Sequence, residues 1–186
     1  MVKKVNKGIE QKSSVAIRIT GDAKYSTLEK YLISSLSEVL DIRLREVVRE
    51  DLGGTYGIYA NGNISKQPAS EYIISIGWGC NPERVDELTN AVKKVLGEIR
   101  TNGIDTSYIN KVKEIQKRRF EVNLKDNDRW LNMLYKCYYN QEDPKDILIN
   151  ETYRQKLTAE QIQSTAQKYL NDQSMMIFEM FPESWK

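Results

Sequence analysis

The sequence predicts an α+β domain: a mainly antiparallel sheet with helices packed on one face, a two-layer sandwich of split βαβ type. Three observations carry this expectation. Apolar residues alternate with polar ones in short segments near both ends of the chain and in an adjacent pair between them. Long stretches between those segments repeat their apolar residues at helical spacing. Glycine, proline or a capping residue marks most of the changes of period. Internal repeats and low-complexity segments are absent, and 186 residues suit one domain, taken as 1–186.

The elements follow in order. In Ser13-Ser-Val-Ala-Ile-Arg-Ile-Thr20, Val15, Ile17 and Ile19 share one face, the pattern of a half-buried strand, and Gly21-Asp22 turns the chain. From Tyr25 to Glu50 a single apolar stripe runs through Leu28, Tyr31/Leu32, Leu36, Val39/Leu40, Leu44 and Val47/Val48. That is one helix of about seven turns, closed by Gly53-Gly54. Thr55–Ser65 and Glu71–Cys80 form two neighbouring strands, an antiparallel hairpin with a long loop, and Tyr72, Ile74 and Ile76 face opposite to Ile73. Asn81-Pro82 starts a helix whose stripe runs from Val85 to Ile99 and stops at Gly103. Asp105 caps the next, with Ile104 and Ile109 as a hydrophobic staple, and its stripe reaches Leu124. Trp130, Leu131, Leu134 and Tyr138 belong to a shorter helix ended by Asp143-Pro144, and a short helix follows before Lys156. Thr158-x-x-Gln161 is a capping box opening a helix to Tyr169, and Ser174–Phe181 is a closing strand.

Composition excludes several function classes. Hydrophobic residues make up 40% and charged ones 29%, enough for one core, and 28 basic against 26 acidic residues leave a net charge of +2. No field for nucleic acid or an anionic membrane follows, and no run approaches the ~18 apolar residues of a membrane span. Met1-Val-Lys-Lys-Val-Asn-Lys is basic but lacks the apolar core of a signal peptide. The chain is then either cytoplasmic or a piece of something longer, and compartment and oligomeric state stay open. Cys80 and Cys137 are expected to be buried, inert thiols. With no histidine and no Cys-x-x-Cys, a zinc centre built from this chain alone would have carboxylates as its only ligands, whereas zinc takes nitrogen and sulfur. No metal site is expected here.

Other motifs have plain explanations. Gly77-Trp78-Gly79 lacks both phosphate-loop patterns. The basic run Lys111–Arg119 carries the apolar stripe of its helix and is interrupted by Glu114, so it is a solvated helix face. The serines have no histidine to activate them. Glu46 and Glu50, one turn apart beside Arg45 and Arg49, form an ion-pair lattice.

Arg49 and Tyr56 stand seven positions apart on either side of the double glycine. Arg49 has a simple explanation as a cation in the last helical turn, and Tyr56 as an ordinary strand aromatic. Against those, the glycines allow a sharp turn and close approach of another chain. A guanidinium and a phenol at one end of a sheet suit a peptide carbonyl or a developing oxyanion.

Leu44-Arg-Glu followed by Arg49-Glu-Asp-Leu-Gly-Gly-Thr-Tyr56 resembles the arginine–tyrosine segment of the insulinase/pitrilysin-type zinc metallopeptidases. The likeness continues through Cys80-Asn-Pro-Glu-Arg-Val-Asp-Glu-Leu88, Gly103-Ile104 and Asn127-Asp-Arg-Trp-Leu131, covering most of the chain in order. In that family, related α+β domains form two halves around a chamber, and the zinc sits in the first half on an inverted His-x-x-Glu-His motif. The resemblance implies that this chain is the C-terminal, non-zinc domain of a metalloendopeptidase. Arg49 would hold the peptide substrate, and Tyr56 would bind it and stabilise the tetrahedral intermediate. Zinc would come from another domain of the same protease or from a catalytic partner subunit, so the isolated chain is expected to be inactive. Two alternatives stay open: a scaffold or assembly subunit that keeps the fold without the chemistry, and a peptide-binding module using a sheet edge.

Overall fold

Ile17, Ile19, Ile74 and Ile76 have no exposed surface, and they lie beside one another at the centre of a five-stranded sheet in the computed structural model, which describes residues 1–185. The strands are β1 (Val2–Gly8), β2 (Ser13–Asp22), β3 (Ile58–Ser65), β4 (Glu71–Cys80) and β5 (Met175–Pro182), in spatial order β1-β5-β2-β4-β3. The three pairings among β5, β2, β4 and β3 are antiparallel, and β1 joins β5 in parallel. The helices are α1 (Thr27–Leu44), α2 (Val85–Asn102), α3 (Thr106–Asn123), α4 (Asn127–Asn140), α5 (Ile149–Lys156) and α6 (Ala159–Tyr169). They bury one sheet face; Tyr59, Ile73, Phe178 and Met180 on the other remain exposed. The expected α+β class and helix-covered sheet are thus observed. No helix among the described residues is long and apolar enough to cross a membrane.

Two strand bounds shift. β2 runs on through Gly21-Asp22, paired with Tyr72 and Glu71, where a turn is expected. β3 begins only at Ile58, leaving Thr55 and Tyr56 in the preceding loop rather than in the strand. Two elements differ more deeply from the sequence expectation. β1 has no counterpart in the predicted order. Its residues are almost all exposed, so neither face carries an apolar alternation; the strand forms because its backbone pairs with β5, from Val2↔Ile177 to Asn6↔Phe181. The second difference is the long helix. It is α-helical only to Leu44, and Arg45–Asp51 continues as a π-helical turn in which the Leu52 N–H reaches the Val47 carbonyl, 3.1 Å away. The wider turn keeps Leu44 and Val48 buried while Arg49 and Glu50 face outward. Such turns recur at functional sites.

α1 is held from both sides. Against the sheet, Asp41 accepts the edge N–H of Ala60 at 3.2 Å. Just beyond its end, Glu46 of the π-helical turn accepts from two α3 side chains, Tyr108 at 2.5 Å and Lys111 at 3.3 Å, and from Arg43 of α1 itself at 3.2 Å. Burial works against the Glu46 charge, but those three donors outweigh it and hold the carboxyl below its usual range. The folded state therefore gains stability above the unfolded carboxylate pKa and loses it as pH falls through the lower folded value. Urea titrations are expected to find Glu46→Gln about 1 kcal/mol less stable than wild type at pH 7, with the gap closing as the pH falls below the usual carboxylate range. A gap independent of pH would remove the ionic account of this clamp. Both cysteines are buried, which raises their thiol pKa values.

Candidate functional site

The joint between α1 and β3 is a tightly tied loop. After the π-helical turn, the Gly54 N–H bonds back to the Val48 carbonyl at 3.0 Å. Gly53 takes a left-handed φ of 56°, which a side chain resists. Gly54 lies against α2: a Cβ there would come within 2.4 Å of a Leu88 methyl, and Leu88 is fully buried. Thr55 then pins the loop to the sheet, donating its hydroxyl to the Gly79 carbonyl at 2.6 Å and accepting the Gly57 N–H at 3.2 Å. Arg84, paired to Glu87, donates to the Leu52 carbonyl at 3.1 Å. Gly54→Ala is expected to cost about 1–3 kcal/mol by overpacking, checked by chemical unfolding; a change under ~0.5 kcal/mol would mean that Leu88 yields freely.

Both sequence-predicted residues leave this joint. Arg49 follows Val48 directly and Tyr56 lies two positions beyond Gly54, so they flank one hydrogen-bonded pair of backbone positions. Arg49 is exposed. Tyr56 is 104% exposed, its ring wholly in solvent, so the core gives it no structural task. The lattice expected around Arg49 takes another form: Glu46 pairs with Arg43 and Lys111, and Arg45 with Asp41 at 2.6 Å. Neither Arg49 nor Glu50 has an ion-pair partner among the described residues. A helical stripe gives the face of each residue but not which neighbouring element lies opposite it. The basic run on α3 is paired as a solvated face, with Arg118 on Glu114 and Arg119 on Glu38.

A groove of about 720 Å³ opens beneath Tyr56, lined by Lys12, Ser14, Gly57, Gly79, Asn81 and Arg84 among others. None of these was singled out as a site residue from sequence. Thr55 was equally hidden, since its anchoring role depends on the register of β4. No three His, Cys, Asp or Glu side chains come together to hold a metal among the described residues. With no histidine in the chain, these donors do not fit a zinc centre.

Residues 2–116, more than half of the chain, match the family described as Peptidase M16 inactive domain. The chain belongs to that family. The likeness read from the Arg49–Tyr56 segment is therefore borne out. This M16 inactive domain is 28% identical over 161 residues to a probable zinc protease PqqL of Haemophilus influenzae, covering 87% of this chain and 17% of the relative. It is 29% identical over 113 residues to the chloroplastic stromal processing peptidase of Pisum sativum, covering 60% of this chain and 9% of that protein. The chain thus spans less than a fifth of these relatives' length. Among solved structures, the periplasmic protease PqqL of Escherichia coli superposes with a TM-score of 0.83 at 18% identity, over 97% of this chain and 20% of that one. A ferredoxin protease, FusC, solved with an Arabidopsis ferredoxin, gives 0.81 at 15% identity, over 98% and 20%. At these identities the two structures establish the fold.

Proposed function

We propose that this chain is the substrate-holding domain of an M16 zinc metalloendopeptidase, completing a site whose zinc is held by another domain. The observation that carries the reading is the pair Arg49 and Tyr56. Both are polar, solvent-facing and mounted on one rigid joint, with no partner that a purely structural role would require. Arg49 donates to the carbonyls of an extended peptide, where a guanidinium fork fits well. Tyr56 donates its phenolic proton to the scissile carbonyl oxygen as negative charge builds there. A zinc ion held by the other domain would supply the activation of water. Similarity to a protease solved with a bound ferredoxin supports a polypeptide substrate.

The test lies in the reading frames around this chain. A His-x-x-Glu-His segment in the same polypeptide, or in a subunit that copurifies with the chain, is expected. Its absence from both would overturn the protease reading. The assembly-subunit alternative has one observation of its own: α4 presents Leu131, Tyr135, Tyr138 and Tyr139 to solvent at helical spacing, a face suited to packing against another domain. That face and the peptide-holding joint serve different contacts, and both belong to one multidomain protease.

A further inference from the structure

The sheet face turned away from the helices is sunken along its middle strands. One rung across it reads Tyr59, Gly77, Ala16, Phe178; the next reads Gly79, Ser14, Met180. Small residues therefore occupy β2 and β4, and large ones stand on β3 and β5. Backbones three strand spacings apart are about 14 Å from each other, and because the Tyr59 ring leans over Gly77 the open part of that span lies over Ala16, with room for one side chain between Tyr59 and Phe178. A helix, at ~10 Å across, does not enter. The Tyr59 ring lies over Gly77, where a Cβ would come within 2.6–2.7 Å of its atoms. The resulting trough has a volume of about 620 Å³.

Its chemistry is apolar. Tyr59, Phe178 and Met180 are 51%, 39% and 43% exposed; the floor carries no titratable group, and the one cation of the lining, Lys3, stands on β1 at the outer rim beside Phe178. Glu179, although in the adjoining strand, turns its side chain to the covered face, where Lys4 pairs with it at 3.1 Å. The trough is continuous with the groove beneath Tyr56, since Ser14, Gly57 and Gly79 line both.

We infer that this trough is a specificity subsite for a large apolar side chain, aromatic or long aliphatic, of an extended peptide whose backbone is held at Arg49 and Tyr56. The inference rests on the peptide-holding reading above and adds to it the class of side chain selected. The probe is a fluorescein-labelled extended heptapeptide with Phe, Leu, Ala or Asp at its centre, titrated into the 186-residue chain and followed by anisotropy. The Phe and Leu peptides are expected to bind about tenfold more tightly than the Ala and Asp ones. Ala16→Phe, which fills the trough from an outward strand position where aromatics are tolerated, should bring that ratio to about one. Gly79→Leu is a second plug, with thermal melting to verify the fold of each variant. Arg49→Ala should weaken all four peptides alike. A ratio near one in the wild type, or one that survives both plugs, would overturn the subsite while leaving the Arg49 effect to support the backbone-holding role. If no peptide binds, both readings fall.

Discussion

Tyr56→Phe, introduced into the full-length protease that the proposed function implies, is expected to lower kcat about 10²–10³-fold, the scale for removal of one oxyanion donor. The melting temperature should not move, because the Tyr56 side chain lies wholly outside the core. Substrate affinity should change much less than kcat, since in the proposed role the phenol's hydrogen bond to the substrate strengthens as charge develops on the carbonyl. Arg49→Ala should behave differently. A charge-assisted hydrogen bond to a peptide carbonyl contributes in both the ground and transition states, so KM should rise about 10–100-fold with a smaller effect on kcat. The two signatures separate a residue that holds the peptide from one that acts on its reacting carbonyl. Steady-state kinetics with a fluorogenic peptide reads both. If each variant turns over peptide like the wild type, the pair has no part in catalysis.

Leu44→Ala carries the largest expected loss of stability. Leu44 is fully buried at the junction where the α-helix gives way to the π-helical turn. Truncating such a side chain costs about 2–5 kcal/mol, or roughly 5–15 °C of melting temperature for a chain of this size. The cavity would lie directly under the turn that presents Arg49, so unfolding should begin with greater exposure of this joint. Hydrogen exchange at the Leu52 and Gly54 amides, which bond to Val47 and Val48, reports that opening. Slow exchange at both amides, with a stability loss under about 1 kcal/mol, would mean that the junction does not depend on Leu44 for its packing.

Much of the fold was legible because burial leaves a period behind. Val15, Ile17 and Ile19 alternate because one face of β2 is sealed by helices, and α2 repeats Val85, Leu88, Val92 and Ile99 for the same reason. β1 was not legible because no face of it is sealed; its place is set by backbone pairing with a strand that arrives more than 160 residues later. The π-helical turn was hidden by its own economy. Leu44 and Val48 continue the stripe of an ordinary helix, and only the hydrogen-bond step from Leu52 to Val47 distinguishes it. At the site, the double glycine between Arg49 and Tyr56 marked the joint in the sequence. Thr55 and the trough could not be found that way. Gly77 and Gly79 were notable locally only for failing to form a phosphate loop, and they become a floor when register sets them beside Ala16 and Ser14.

The central claim is that this domain holds peptide at the Arg49–Tyr56 joint. Amide chemical-shift mapping of the 186-residue chain titrated with an extended peptide tests it most directly. Saturable shifts centred on Arg49 through Gly57 and the facing end of β4, weakened by Arg49→Ala, are the predicted result. Shifts confined to the aromatic face of α4, or none up to millimolar peptide, would contradict it.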